Sequence, residues 1–168
     1  MIEPWYVTGF CDGEAAFTYS RASGVFNMYF SLRQREDNRG IVEEIHKFFD
    51  YAGYIYKDKG SQPAKNSGLT PPFTNSRLAQ TAERAGLTKP SAYYRVSRIE
   101  DLIRIIEHFD RYPLQSKKIE CYNIWKEMVL YKNDNWRSAD YDVLKPLAEK
   151  LSTLNQKSRV FSRRPKFT

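Results

Sequence analysis

At 168 residues, with 41% hydrophobic and 15% aromatic side chains, the chain has enough apolar mass for one folded domain and is excluded from the disordered and low-complexity classes. Its net charge of +7 favours a polyanionic partner. No Cys/His cluster has zinc spacing, and no apolar run reaches the length of a membrane span.

Pro4 predicts the first turn of a helix that runs to Asp12-Gly13-Glu14. Tyr6, Gly9, Phe10 and Gly13 fall close to one face of it, and the spacing of the two glycines suits close approach of a second backbone. Asp12 and Glu14 stand at its C-terminal end, where the helix dipole disfavours a carboxylate. Acids placed against that rule point to a divalent cation held by oxygen ligands.

The period then changes. Phe17 to Ser20 alternates as a strand, Ala22-Ser23-Gly24 supplies a turn, and Val25 to Arg35 alternates again. This predicts a hairpin with Phe26, Met28, Phe30 and Leu32 toward the core and Asn27, Tyr29, Ser31 and Arg33 on the other face. The outward set suits base edges and phosphates, and equally an ordinary solvated face. Asn38 predicts the cap of a helix from Arg39 to about Asp50, with Ile41, Ile45, Phe48 and Phe49 as its stripe. Tyr54 to Lys59 reads as a third strand, with Lys57 and Lys59 on one face.

Residues 61–91 break the pattern with Pro63, Gly68, Pro71 and Pro72, then a short helix over 75–85. They read as an inserted loop and helix that touches the ligand. Ser91 to Ser97 is a fourth strand, with Tyr93 and Arg95 opposite Tyr94 and Val96. Helices follow from Glu100 to Phe109, Ser116 to about Lys132, and Asp140 to Leu154, where Pro146 either kinks the helix or starts its main part. Lys157, Arg159, Arg163, Arg164 and Lys166 form a basic tail over 157–168, either a solvated end or a phosphate-gripping arm. Residues 1–156 read as a single domain. Cys11 and Cys121 read as reduced core residues, and His46 and His108 as surface or rim residues. With no leader ahead of the first helix, the expectation is a soluble intracellular protein with no membrane partner.

The αββαββα order predicts an α+β fold: a four-stranded antiparallel sheet, helices on one face, and extra C-terminal helices. The open face would carry Thr18, Ser20, Asn27, Tyr29, Ser31, Arg33, Lys57, Lys59, Tyr93 and Arg95. No GxGxxG, P-loop or Ser-His-Asp order appears.

The stretch Val7-Thr8-Gly9-Phe10-Cys11-Asp12-Gly13-Glu14-Ala15 resembles the motif of the LAGLIDADG homing endonucleases. Gly9 and Asp12 match its letters. Phe10, Cys11, Gly13 and Glu14 are substitutions the family accepts, while Thr8 and Ala15 depart from its alanine and glycine. The αββαββα order extends the resemblance over about residues 3–135. No second copy of the motif is found, so the chain looks like the single-motif homodimeric type, from an intron or other mobile element.

The resemblance implies a saddle-shaped sheet on the major groove of double-stranded DNA. Two motif helices pack through Tyr6, Gly9, Phe10 and Gly13. Glu14 of each subunit binds Mg²⁺ with the Gly13 carbonyl assisting, and no small-molecule cofactor is needed. Gln34 and Lys117 support the attacking water and the transition state, with Lys118 as the one-residue-shifted rival of Lys117. Both strands of a long pseudo-palindromic site are cut across the minor groove, leaving short 3′ overhangs. Paired metals would activate water and take up the charge of the breaking phosphodiester. Ala15 adds a methyl at the helix-to-strand exit, which predicts a displaced metal site and slowed or abolished cleavage. The other reading is a non-cleaving DNA- or RNA-binding protein of the same fold, an intron maturase or a regulator.

Overall fold

The computed structural model describes residues 2–22, 24–59, 89–135 and 141–159, the last four of them as backbone only. The expected insertion up to residue 88, with its helix at 75–85, and the tail beyond 159 lie outside the described residues. The elements in order are α1 (Pro4–Glu14), β1 (Ala15–Ala22), β2 (Val25–Arg35), a 3-10 turn (Glu36–Asn38), α2 (Arg39–Phe48), β3 (Tyr54–Asp58), β4 (Ser91–Val96), α3 (Ile99–Arg111), α4 (Lys118–Asp134) and α5 (Tyr141–Arg159). No described helix is long and apolar enough to cross a membrane.

The four strands form one antiparallel sheet in the order β1-β2-β4-β3. Alternation decides its faces. Phe17, Phe30, Leu32, Tyr94 and Val96 are fully buried beneath the helices, and register pairs them with one another: Phe17 with Phe30, Phe30 with Val96, Leu32 with Tyr94. The Phe17 ring is the hub, with the rings of Phe30, Phe109, Tyr122 and Trp125 all centred 5.2–5.5 Å away. Truncating it to alanine would cost roughly 3–5 kcal/mol.

The helix after β2 stops at Phe48, before the expected Asp50, because Asp50 and Tyr51 turn the chain with left-handed φ of 51° and 58°. Gly53 completes the turn at φ 75°, and a Cβ there would lie 2.2 Å from the Arg95 carbonyl oxygen, so only glycine fits. Lys157 and Arg159 belong to α5, which runs past the expected end at Leu154 and holds Pro146 inside it.

His108 is not a surface residue. It is 8% exposed because α3 turns it under α1, where Nε2 lies 3.0 Å from Thr8 Oγ1. The Thr8 hydroxyl donates to the Tyr112 carbonyl at 2.9 Å, so His108 Nε2–H donates to Thr8. Burial pushes the His108 imidazole down to about 4. Cys11 is buried as expected, its thiol pushed up to about 12 by desolvation and hence unreactive. Cys121 is only half-buried at the core's edge.

Candidate functional site

Three features of the sheet and its first helix could meet nucleic acid: the tip of α1, its outer face, and the open face of the sheet. At the tip, Asp12 and Glu14 part company. The Asp12 carboxylate accepts the Gln115 and Ser116 backbone N–H groups on Oδ2 at 3.1 and 2.9 Å, and the Ser116 hydroxyl on Oδ1 at 2.6 Å. These groups lead into α4, whose N-cap residue Lys117 makes no side-chain cap. Asp12 therefore sits at the positive pole of α4, which removes the anomaly of its place at the end of α1 and engages both of its oxygens there. Glu14, the last residue of α1, projects into solvent.

The lysine beside this tip is Lys118. Lys117 is exposed and occupies the α4 N-cap, whereas the Lys118 ammonium donates to the Cys11 carbonyl at 3.1 Å. Of the two expected lysines, Lys118, the one-residue-shifted rival, is the one that contacts α1. One residue of helical rotation, about 100°, separates the outward direction of Lys117 from the inward direction of Lys118, and the Asp12 contact fixes which is which. Burial lowers the Lys118 pKa, opposed by the charge of Asp12, by Cys11 and by the charge of Glu14. Gln34 is half-buried near the end of β2 and pairs with Ala92. It stands two residues beyond Leu32, the partner of Ala15, and so on the strand end beside the exit of α1.

Ala15 itself is relaxed. Its φ of −81° and ψ of 157° are ordinary extended backbone and its side chain is buried, so the exit from α1 does not require glycine. The expected displacement of the site by this methyl has no source in the backbone. Among the described residues no group of three or more His, Cys, Asp or Glu comes together as a metal site. What one chain offers is the Glu14 carboxylate and the last α1 carbonyls, Gly13 among them, which have no further helical amide to accept. These are hard oxygen donors at the negative end of a dipole and fit Mg²⁺.

The outer face of α1 is bare. Tyr6 is 53% exposed and its ring stacks on Phe10 at 6.2 Å. Gly9 and Gly13 are exposed, and a Cβ on either would meet nothing within 4 Å. Among the described residues nothing demands glycine at either place.

On the open face of the sheet, register places Thr18 beside Tyr29, Ser20 beside Asn27, and Arg33 beside Tyr93. Arg95 lies over Tyr29, its guanidinium carbon 3.8 Å from the ring centroid. Arg33 donates to Asp58 and to the Ser91 hydroxyl, both at 2.8 Å. Ser31 is on this face but only 6% exposed, set between Ala16 and Arg95 on the neighbouring strands, so it offers no surface.

Lys57 is a correction. It pairs with Ala92, and Ile55 with Tyr94, so these residues share the helix side of the sheet. Lys57 instead reaches Glu36 at 3.5 Å. Lys59 follows the end of β3 in solvent. The β3 residues on the open face are Tyr54, Tyr56 and Asp58. Tyr54 and Tyr56 are 49% and 41% exposed. Their rings stack at 5.8 Å, and Tyr56 continues onto Tyr93 at 4.9 Å. Ile55, the one aliphatic residue of this strand, carried the signal for their direction.

An acid-tipped helix leading into a four-stranded antiparallel sheet with helices on one side is the architecture of the LAGLIDADG nucleases. The family model described as LAGLIDADG endonuclease matches residues 77–129 of this chain. It is similar to the LAGLIDADG meganuclease I-AabMI bound to uncleaved DNA, with 23% identity, a TM-score of 0.63, and coverage of 88% of this chain and 44% of that one. For I-SmaMI bound to uncleaved DNA in the presence of calcium ions the values are 19%, 0.64, 91% and 46%. A curated relative is the uncharacterized 50.9 kDa protein in ND4 intron 1 of Podospora anserina, 27% identical over 144 residues, covering 79% of this chain and 25% of the relative. The chain thus spans about half the length of these solved structures and a quarter of the curated relative.

Proposed function

We propose that this chain is one subunit of a homodimeric, Mg²⁺-dependent endonuclease that cuts double-stranded DNA at a long pseudo-palindromic site. The observation that carries the reading is Glu14, exposed at the tip of a glycine-striped helix face with no hydrogen-bond partner among the described residues, beside the half-buried Lys118. Two copies of α1 packed along Gly9 and Gly13, with Tyr6 and Phe10 flanking, would bring two Glu14 carboxylates to one axis. The similar solved structures are DNA complexes of chains about twice this length, which suits a pair of these chains on one duplex.

Glu14, with the Gly13 carbonyl, would hold the Mg²⁺, which when bound supplies an activated water and a counter-charge for the phosphate. The protein's own residues do the positioning. Lys118 Nζ donates to the Cys11 carbonyl and keeps its other N–H groups for a phosphate oxygen or a water. The Gln34 amide orients water from the end of β2. On the sheet, Thr18, Ser20 and Asn27 reach base edges, while Arg95 and Arg33 approach phosphate or guanine. The Tyr54-Tyr56-Tyr93 row supplies apolar contact suited to sugars and thymine methyls. Residues 1–156 act as a single domain.

Selecting bound duplexes from a random library and incubating them with Mg²⁺ tests this. The expected result is an inverted-repeat site, two chains per duplex, and cleavage of both strands that stops on chelation. A bound site that Mg²⁺ never converts to product would make the protein a non-cleaving binder of the same fold.

A further inference from the structure

The short segment between α3 and α4 meets the motif helix through two contacts that run in opposite directions. Asp12 grips the segment from α1: its two oxygens take three hydrogen bonds from Gln115 and Ser116, at 3.1, 2.9 and 2.6 Å. The Ser116 hydroxyl, while donating to Asp12, accepts the Lys118 backbone N–H at 3.1 Å. Lys118 then returns to α1, its Nζ donating to the Cys11 carbonyl at 3.1 Å. The loop of contacts is closed: Asp12, Ser116, the Lys118 backbone, the Lys118 side chain, and the carbonyl one residue before Asp12. Only two of its links are to the side chain of Ser116, and α4 has no other side-chain cap.

We infer that Asp12 is a positioning residue for Lys118. Its carboxylate fixes the start of α4 relative to α1, and this sets the direction in which Lys118 leaves the helix. The inference rests on the proposed cleavage reaction for its consequence but not for its geometry. The helix starts at Lys118, and Lys117 is the exposed N-cap. A rotation of the first turn by one residue would exchange the two lysines, turning Lys118 outward. Asp12 prevents that rotation because both backbone amides ahead of the helix are held on one oxygen. A neutral amide in its place keeps one acceptor but loses the second oxygen and the charge facing the α4 dipole. A displacement of about 1 Å at a reacting group is enough to lower a rate roughly a hundredfold.

The test is a double-mutant cycle on single-turnover cleavage of a selected target, with DNA affinity and melting temperature measured on the same samples. Asp12→Asn is expected to lower the cleavage rate by roughly a hundredfold while affinity changes by less than about threefold. In a Lys118→Met background the same change is expected to cost less than about twofold, because the group it positions is already gone. Equal losses in both backgrounds, or a wild-type rate in Asp12→Asn, would overturn the inference. Ser116→Ala, which removes one link and leaves both backbone amides, keeps the test available where Asp12→Asn unfolds. It is expected to lower the rate in the same direction, by roughly tenfold, and again only when Lys118 is present.

A readout without cleavage separates this inference from the proposed reaction. Amide exchange at Gln115 and Ser116 is expected to quicken in Asp12→Asn, and the NMR signals of the Lys118 side chain to move to the positions of exposed lysines. If those signals stay in place the inference fails, whether or not the wild type cuts DNA. If they move and no target is cut, the clamp stands and the proposed reaction falls.

Discussion

The two faces of α1 obey different rules. On the inward face Val7, Thr8 and Cys11 are buried, and the one polar side chain among them is fully engaged: Thr8 donates to the Tyr112 carbonyl and accepts from His108. On the outward face Tyr6, Gly9, Gly13 and Glu14 are exposed, and the glycines have open space where a Cβ would be. The inward residues are explained by this chain alone. The outward residues are not accounted for by contacts among the described residues, and Gly9, in the interior of an eleven-residue helix, gives up roughly 1 kcal/mol relative to alanine. On the proposed function, what compensates is a second copy of this helix and a bound cation.

The comparison breaks first at the tip. Lys118→Met is expected to lower cleavage by roughly a thousandfold, and Lys117→Met by less than about twofold; equal effects in single-turnover assays would return the role to Lys117. Next, Gly9→Leu fills the open seam. It is expected to leave the melting temperature of the separated chain nearly unchanged and to weaken self-association by roughly a hundredfold, on the order of 3 kcal/mol of overpacking. Sedimentation equilibrium reads this directly, and unaltered dimerisation would show that the seam is elsewhere. On the sheet, Tyr56→Ala is expected to weaken DNA binding by roughly tenfold, whereas Lys57→Ala changes it by less than about threefold; the reverse order in an equilibrium titration would restore Lys57 to the DNA face.

The inward face gives the smallest and most local effect. His108 is held neutral, its pKa lowered by burial to about 4 from an ordinary 6.5. A depressed pKa contributes stability that is complete above pH 6.5 and is lost as pH falls toward 4, on the order of 1–2 kcal/mol. Asp50, Arg104, Glu107 and Arg111 line the same hollow as His108, so the comparison must be made with His108→Gln, which keeps them all. The variant is expected to flatten the loss of stability between pH 6.5 and 4 in denaturant titrations; an unchanged slope would assign it to those neighbours.

Much of the architecture was legible because alternation and helical spacing report burial directly. Phe26, Met28, Phe30 and Leu32 are inward as their period demands, and the order of elements along the described chain follows the pattern. What was not legible depended on contacts between distant segments. Asp12 reads from sequence as one of two misplaced acids, and only the approach of Gln115 and Ser116, more than a hundred residues away, shows it as a cap. Lys117 and Lys118 are adjacent and chemically identical, so their directions are set by the rotation of α4 and not by composition. Lys57 was legible and misread: sharing parity with Ile55, it belongs to the side that Ile55 packs. His108 gave no signal at all, since its burial depends on α1 crossing the end of α3.

Glu14→Gln tests the central claim most directly, because it removes the charge from the exposed carboxylate at the tip that no hydrogen bond among the described residues engages, and it nearly keeps the side chain's size. On a target selected with the wild-type protein, the variant is expected to bind within about twofold of wild type and to cut both strands at least roughly a thousandfold more slowly in Mg²⁺. Cleavage by Glu14→Gln at the wild-type rate would contradict the assignment of Glu14 to the reacting centre.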